Sequence, residues 1–552
     1  MEGVRHRAAE GIQIAAEPGV AATGNCSRRV NSGPNSIHRR PRRTSRGTLT
    51  ACLRSPLPLP ASLEAAPGTP DLTKLPWIER PAGVPYFVTS QGEPWTPIGQ
   101  NDAITWPELE GLFRQRDLPG VERHLLHLRD TGVTCLRLML EYVQGNHRFL
   151  ERPAGRFVPA MVQLWDELFR LCERVGMRIL LTPFDTFFTW VRWQHHPYNI
   201  SNGGPCSSRT RLLVCPATRN FIKARLAFAT RRWGSSGVIF AWDLWNEMHP
   251  AQAENQQDAF AEFIDDVGPF LRDLETELYG RAHLQCVSVF GPELLSSPAI
   301  ADPIFRHPRL DFASSHFYET GTIDHPADTV APAVSVGRLT RDALSHIIDQ
   351  RPFLDSEHGP IHSFKDRHST LPEAFDDEYF RHIQWAHLAS GGAGGGMRWP
   401  NRSPHVLTPG MRAAQAALSR FLPLLDWPRF QRRNLNEEIS ISGAPVHAFG
   451  CADLRQAIIW LLRPTLGAAV TNRGRTLRQV DQSGEAALTL TVPGLTPGFY
   501  EVVLWDTRVG RELKRVPAQA VAGAGLEIPV RFDGADLALA VRPVECHEGE
   551  PG

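Results

Sequence analysis

From Pro85 onward, short apolar segments alternate with longer amphipathic ones, and this alternation sharply restricts the folds open to the chain. Segments such as Val133–Leu140 and Val238–Leu244 are rich in β-branched and aromatic residues, which predicts buried strands. Between them, Val158–Val175 spaces its leucines along one helical face. Strands that alternate with helices predict an α/β architecture with a parallel sheet.

Eight such strands can be counted, which is the number that closes a (β/α)8 barrel. The predicted strands are Trp95–Asn101, Val133–Leu140, Met177–Pro183, Val238–Leu244, Leu284–Phe290, Asp311–Tyr318, Arg351–Gly359 and Gly396–Pro400. Over Ile439–Val541 the pattern changes to strands separated by Pro-Gly, Gly-Ala and Asp-Gly turns. We therefore predict a (β/α)8 TIM barrel over residues 71–430 and a C-terminal β-sandwich over residues 435–545.

Residues 1–70 differ from the rest in composition. Ten arginines lie between Arg5 and Arg54, among Pro, Gly, Ser and Ala residues without a hydrophobic period. This composition predicts a disordered, Arg/Pro-rich N-terminal tail. Within this tail, Arg54 and several prolines interrupt the apolar stretch at residues 48–66, so no clear signal peptide is predicted. A secreted or periplasmic protein is compatible with the sequence, and the compartment is left open.

Charge and cysteine content exclude several kinds of partner. The chain has 59 Lys and Arg residues against 59 Asp and Glu residues, so no overall field favours nucleic acid. Its nine cysteines include no Cys-x-x-Cys pair, and no early strand carries a His-x-His pair, so we predict no metal site. No apolar run reaches the roughly 18 residues of a membrane span. The oligomeric state is left open.

Two of the predicted strands end in carboxylates. Asn246 and Glu247 follow Val238–Leu244, and Glu357 lies near the end of Arg351–Gly359. TIM barrels build active sites at the carboxyl ends of their strands, and two carboxylates suit a reaction that needs an acid and a nucleophile or base. The alternative for Asn246 and Glu247 is that they open a loop or cap the next helix.

The Trp-Asn-Glu motif at Trp245–Glu247 and the later Glu357 resemble the retaining β-glycosidase clan built on TIM barrels. The chain is most similar to family 5 glycoside hydrolases of the cellulase and mannanase type, over about residues 80–425. This resemblance implies hydrolysis of a β-linked glucan or mannan, as polysaccharide or oligosaccharide, by double displacement and without a cofactor. An exo-acting β-glycosidase or β-mannosidase of a neighbouring family remains an alternative. So do a carbohydrate-binding barrel without catalysis and a metal-dependent hydrolase.

The resemblance also implies roles for individual residues. Glu247 corresponds to the acid/base and Glu357 to the nucleophile. Substrate-binding roles are implied for Asn246, Arg137, His316, Tyr318 and Trp399.

Among these residues, Asn246 would bond the sugar 2-hydroxyl, and Arg137 and Tyr318 would keep Glu357 ionised. Trp399 would be the aromatic floor under the cleaved sugar. For Arg137, His316 and Tyr318 the alternative is an ion pair inside the barrel or ordinary core packing.

Two further stretches bear on the predicted site. Many family 5 members have a His at the end of the third strand, whereas this chain has Phe184-Asp185-Thr186. The long segment from Phe187 to Pro216 is rich in aromatic and His residues, which favours a wall of the substrate cleft over a disordered loop. The residues that suggest this wall are Trp190, Trp193, His195, His196 and Tyr198.

We expect residues 1–70 to be dispensable, because a charged segment without an apolar period cannot bury enough surface to offset the entropy lost on ordering. A chain shortened to begin at Asp71 should keep the melting temperature and the activity of the full chain. Thermal unfolding and an activity assay of both proteins check this. A large fall in either quantity would show that the tail docks on the barrel.

Overall fold

The computed structural model describes residues 75–141, 148–256, 258–361, 370–465, 469–472, 474–480 and 482–544. The predicted tail at residues 1–70 lies outside this range. Among the described residues, no helix combines the length and the hydropathy that crossing a membrane requires.

The chain forms the TIM barrel that the sequence predicts. After three short antiparallel strands, β1 (Ile78–Glu79), β2 (Phe87–Thr89) and β3 (Pro94–Trp95), a parallel sheet begins. Its segments are β4 (Gly99–Asp102), β5 (Cys135–Met139), β6 (Arg178–Thr182), β7 (Ile239–Asp243), β8 (Leu284–Cys286), β9 (Ser288–Phe290), β10 (Ala313–Phe317), β11 (Phe353–His358) and β12 (Met397–Arg398). Because β7 pairs with β8 and β9 pairs with β10, the two halves of one interrupted strand close a ring of eight.

The first barrel strand begins at Gly99 rather than at the predicted Trp95. Pro97 has no N–H group to donate to a neighbouring strand, which separates Trp95 from the barrel sheet. Trp95 lies in β3 instead, and Phe87 of β2 packs edge-to-face against Phe240 and Phe312. Phe240 lies at the start of β7 and Phe312 directly precedes β10, so the small antiparallel sheet covers the N-terminal end of the barrel.

Helices follow the barrel strands and surround them. They are α1 (Leu118–Asp130), α2 (Pro159–Val175), α3 (Thr186–Val191), α4 (Pro216–Trp233), α5 (Ala259–Tyr279), α6 (Gly291–Ser296), α7 (Pro298–Phe305), α8 (Ala331–Ser345), α9 (Glu373–Ala389) and α10 (Pro409–Phe421). Helix α2 shows how the sequence sets these bounds. It begins at Pro159, whose missing N–H costs nothing in the first turn, and it ends before Gly176, which has a φ of 88°.

The C-terminal β-rich domain is confirmed, and it is one continuous antiparallel sheet. Its strands are β13 (Arg433–Asn434), β14 (Ser440–Gly443), β15 (His447–Ala452), β16 (Ala457–Leu462), β19 (Ala486–Val492), β20 (Gly498–Asp506), β21 (Arg511–Val521), β22 (Gly525–Phe532) and β23 (Asp536–Pro543), with β17 (Ala469–Asn472) and β18 (Arg475–Arg478) forming a separate pair. The last barrel helix ends at Phe421 and this sheet begins at Arg433. The exact domain boundaries at 430 and 435 stay predictions.

Strand β16 is buried on both faces and joins two cores. Alternate residues Ile458, Trp460 and Leu462 pack with the core of the barrel, whereas Ile459 and Leu461 pack inside the C-terminal sheet. A side-chain period of two therefore explains why this strand is apolar throughout. The indole Nε1 of Trp460 also donates to Oδ2 of Asp536 over 2.9 Å.

We expect Trp460→Ala to destabilise the protein by about 3–5 kcal/mol, because it empties a large buried volume between the two cores. Phe499→Ala is the matched control, since the Phe499 side chain is 66% exposed. Denaturant-induced unfolding of both variants measures the difference. A loss below about 1 kcal/mol for Trp460→Ala would contradict the packing described here.

Candidate active site

Arg137 on β5 lies at the centre of the polar cluster inside the barrel, and its side chain is fully buried. Its Nη1 donates to Oδ1 of Asn101 over 2.9 Å and to Oε2 of Glu357 over 2.8 Å. Its Nη2 donates to Oδ2 of Asp243 over 2.8 Å and to Oδ1 of Asn246. One guanidinium on β5 thus joins residues from three other barrel strands or their ends. Burial opposes its charge, but the carboxylates of Asp243 and Glu357 raise the pKa of Arg137.

Glu357 on β11 is held by two donors. Arg137 bonds one of its oxygens, and the hydroxyl of Tyr318 donates to the other over 2.7 Å. Tyr318 follows β10 directly, so two neighbouring strands supply the carboxylate and its donor. Both carboxylate oxygens therefore have fixed partners, and the carboxylate has one orientation.

Glu247 follows β7 and adopts a φ of 48°, an uncommon conformation for a residue with a side chain. Its N–H donates to Oγ of Ser288 over 3.1 Å, and its carbonyl accepts from the hydroxyl of Thr186 over 2.7 Å. These contacts hold the strained backbone in place. The Glu247 carboxylate shares a hydrogen bond of 2.7 Å with Nδ1 of His316, whose Nε2 lies 3.1 Å from Oγ of Ser356.

The two glutamates lie close together in different surroundings. A carboxylate oxygen of Glu247 and one of Glu357 lie within 4.8 Å of each other. Burial, with the charge of Asp243, raises the pKa of Glu247 to about 7, despite the opposing charge of Arg137. Burial also raises the pKa of Glu357, but Arg137 and the hydrogen bond from Tyr318 act against that rise. Burial lowers the pKa of His316 to about 4, so this imidazole is neutral at neutral pH.

Asn246 is oriented by Asp185, one of the three residues Phe184-Asp185-Thr186 that follow the third barrel strand. The Nδ2 of Asn246 donates to Oδ1 of Asp185 over 2.7 Å, while Arg137 bonds its amide oxygen. Asp185 also accepts the N–H of Phe187 over 3.0 Å. Burial raises the pKa of Asp185 to about 8. With an acceptor on one side and a donor on the other, the Asn246 amide has one orientation, and its second N–H has no hydrogen-bond partner in the part of the chain that the structure describes.

Trp399 follows β12 directly and is partly exposed. Its backbone N–H donates to the carbonyl of His358 over 2.7 Å, which places it beside the end of β11. Its ring packs edge-to-face against Trp106, with the centroids 5.2 Å apart. Trp399 therefore presents an aromatic surface at the carboxyl end of the barrel.

The structure brings the polar residues singled out from the sequence into one bonded cluster. Glu247, Glu357, Asn246, Arg137, His316 and Tyr318 are linked by the bonds described above. The sequence analysis missed Asp243 and Asn101, which are both fully buried against Arg137. A signal for Asp243 was present, because a carboxylate inside an otherwise apolar strand requires a buried partner.

The prediction that the aromatic and His residues of segment 187–216 line the substrate cleft is wrong for His196 and Tyr198. His196 and Tyr198 are fully buried, where His196 lies 3.2 Å from Glu141 and Tyr198 donates to the carbonyl of Phe221. They pack around Arg225, which bonds Glu141 and stacks on Tyr198. The segment folds into short helical turns, and its buried Tyr198 joins the hydrophobic core of the barrel.

Comparison with known proteins supports this fold. No protein-family model matches the sequence, and no curated protein matches it. A solved glycoside hydrolase shares 11% identity at a TM-score of 0.52, with 85% of this chain and 98% of that chain covered. A family 5 glycoside hydrolase from Bacteroides vulgatus shares 11% identity at a TM-score of 0.50, covering 85% and 95%. At this identity the likeness shows the fold alone, and that fold is the one that the two glutamate motifs predicted.

We expect Glu247→Gln to stabilise the protein at alkaline pH. Because burial raises the pKa of Glu247 to about 7, the folded state holds this proton more tightly than the unfolded state does. Stability is therefore lost as the pH rises from the ordinary value of 4.5 through about 7. The difference between these two pKa values corresponds to a destabilisation of the wild type by roughly 3 kcal/mol at pH 8. At pH 4 the carboxyl is protonated in both states, so this destabilisation is absent.

Denaturant-induced unfolding of wild type and Glu247→Gln at pH 4 and pH 8 measures this effect. Glu319→Gln is the control of opposite sign. Although burial opposes it, hydrogen bonds from Ser335, Thr322 and Arg338 lower the pKa of Glu319. Its replacement should therefore destabilise the protein at pH 8. Equal stability of Glu247→Gln and wild type at pH 8 would show that the Glu247 carboxyl titrates normally.

Proposed function

We propose that the chain is a retaining β-glycoside hydrolase, with Glu247 as the acid/base and Glu357 as the nucleophile. The observation that carries this proposal is the short separation of the two carboxylates, whose nearest oxygens lie within 4.8 Å. Retaining enzymes keep their carboxyl groups about 5–5.5 Å apart, whereas inverting enzymes keep them about 6.5–9.5 Å apart to admit a water. The distance in this site favours direct attack by a carboxylate.

The surroundings of the two carboxyls favour the same assignment. Glu247, with its pKa of about 7, keeps a proton available for the departing glycosidic oxygen at neutral pH. The charge of Arg137 and the hydroxyl of Tyr318 stabilise Glu357 as the carboxylate that attacks the anomeric carbon. In the first step the bond from that carbon to the leaving oxygen breaks, and the bond to Glu357 forms.

In the second step Glu247, now ionised, takes a proton from a water that attacks the same carbon. The bond to Glu357 then breaks, and the product keeps its β configuration. In this mechanism the second N–H of Asn246 bonds the sugar 2-hydroxyl, a contact that strengthens as positive charge develops on the ring. The partly exposed ring of Trp399 offers a stacking surface for the sugar. Two carboxyls carry out every proton and covalent step, so this mechanism uses no cofactor.

We further propose that the substrate is a β-linked glucan or mannan, or an oligosaccharide derived from one. The similarity of the Trp-Asn-Glu and Glu357 motifs to the cellulase and mannanase type supports this substrate class. An exo-acting β-glycosidase or β-mannosidase is the alternative within the same chemistry. Hydrolysis of mannan, glucan, xylan and aryl β-glycosides by the purified protein distinguishes these cases. Binding of the polysaccharides without turnover would instead identify a carbohydrate-binding barrel.

Azide rescue tests the two roles separately. Glu357→Ala should lose nearly all turnover of an aryl β-glycoside, and added azide should restore part of it by occupying the place of the nucleophile, giving the α-glycosyl azide. Glu247→Ala should instead give the β-glycosyl azide, chiefly from substrates with good leaving groups, because azide then attacks the glycosyl-enzyme without needing a base. NMR of the products measures both outcomes.

Glu319→Gln serves as the control, since the Glu319 carboxylate, although next to Tyr318 in the chain, bonds Arg338 and Thr322. It should keep its turnover and yield no azide product. Initial release of the α-anomer by the wild type, or the same azide anomer from both alanine variants, would overturn the assignment.

A further inference from the structure

Three side chains that are able to ligate a metal ion converge beside the first barrel strand, away from the two glutamates. Asp102 is the last residue of β4, Glu108 follows it in the chain, and His124 lies on α1. Asp102 Oδ2 lies 3.9 Å from Nε2 of His124, and Glu108 Oε1 lies 3.4 Å from Nδ1 of the same ring. One candidate ligand atom from each residue lies within 4.8 Å of the other two.

Two of these atoms are buried without a hydrogen-bond partner. They are Oδ2 of Asp102, whose side chain is 3% exposed, and Nε2 of His124, whose side chain is 10% exposed. Their separation of 3.9 Å is too long for a hydrogen bond. The other oxygen of Asp102 accepts the N–H of Ala103 over 2.7 Å, which fixes the carboxylate with Oδ2 directed into the cluster. Buried polar atoms of this kind require a ligand or a water.

The charges in the cluster favour a cation. Arg412 is the other charged group that faces the cluster, and its Nη2 lies 3.8 Å from Oε2 of Glu108. The cluster thus contains two carboxyl groups and faces one guanidinium. A divalent cation would compensate the charge of these carboxyl groups and satisfy the unpartnered atoms.

We propose that Asp102, Glu108 and His124 bind a divalent transition-metal ion of the Zn²⁺ type. One imidazole nitrogen and two carboxylate oxygens form a mixed ligand set that suits Zn²⁺, whereas Ca²⁺ takes oxygen ligands. Bonds of about 2.0–2.2 Å to an ion at Nε2 of His124 require movements of the side chains, because Glu108 now faces Nδ1 of that ring. Glu108 makes the largest of these movements, and it is the most exposed of the three, with 21% of its side chain accessible.

The site would brace one wall of the barrel mouth. Its ligands tie the end of β4 and the segment after it to helix α1. That segment includes Trp106, which packs edge-to-face against Trp399 and stacks on His405 with the centroids 4.8 Å apart. A bound ion would therefore fix Trp106, and through it the aromatic surface of Trp399. This site is structural and is independent of the proposed glycosidase chemistry.

Metal titration of the full chain, stripped of metal with a chelator, tests the proposal. Isothermal titration calorimetry with Zn²⁺ should show one site per chain, and Zn²⁺ should raise the melting temperature. Asp102→Asn and His124→Asn should each weaken Zn²⁺ binding at least tenfold and abolish the rise. His127→Asn is the matched control, because His127 lies on the same helix with its side chain exposed. It should bind Zn²⁺ as the wild type does.

Glu108→Gln covers the case in which the buried variants fail to fold, since Glu108 is the most exposed ligand, and it should also weaken Zn²⁺ binding at least tenfold. The absence of Zn²⁺ binding by the wild type would overturn the proposal. Equal affinity in wild type and Glu108→Gln would show adventitious binding elsewhere, and Ca²⁺ binding as tight as that of Zn²⁺ would refute the metal class. No readout uses glycoside hydrolysis, so failure here and failure of the proposed function are distinguishable.

Discussion

The polar interior of the barrel depends on one buried guanidinium. Arg137 donates four hydrogen bonds, to Asn101, Asp243, Asn246 and Glu357, and these acceptors come from three barrel strands, with Asp243 at the end of β7 and Asn246 shortly after it. A planar fork that stays charged suits this position better than a lysine ammonium would. Because removing one member of a buried ion pair leaves an uncompensated charge, the four acceptors and their donor constrain one another. The geometry of the candidate site is thus part of the packing of the barrel.

That cluster gives the two glutamate side chains, Glu247 and Glu357, different hydrogen-bond partners. Glu357 has a donor on each oxygen, from Arg137 and Tyr318, whereas Glu247 has a neutral imidazole from His316 and a backbone held at positive φ. Burial raises the pKa of both residues, and the donors to Glu357 act against that rise. For Glu247, burial is the main cause of the raised pKa, and the charge of Asp243 adds to it.

Features with a local period or a strand end were predictable from the sequence, whereas contacts between distant residues were not. The strand ahead of Trp245–Glu247 and the strand that carries Glu357 were predicted because apolar runs end at polar residues in the chain itself. Asp185 was noticed only as a departure from family 5, since its partner Asn246 lies on another strand end. The cluster of Asp102, Glu108 and His124 follows no short motif. Its members meet only when the first barrel strand and the first helix pack together.

Strand β16, which packs into both cores, also affects how the protein folds during translation. Helix α9 of the barrel packs against this strand through contacts such as His382 with Trp460, and Arg381 of the same helix bonds Asp536. A nascent chain that has emerged only as far as Phe421 contains every barrel strand, yet it lacks the residues that cover this apolar surface. During translation the barrel therefore remains partly uncovered until the last strands appear. That interval exposes the chain to aggregation, so completion of the barrel surface is coupled to the end of synthesis.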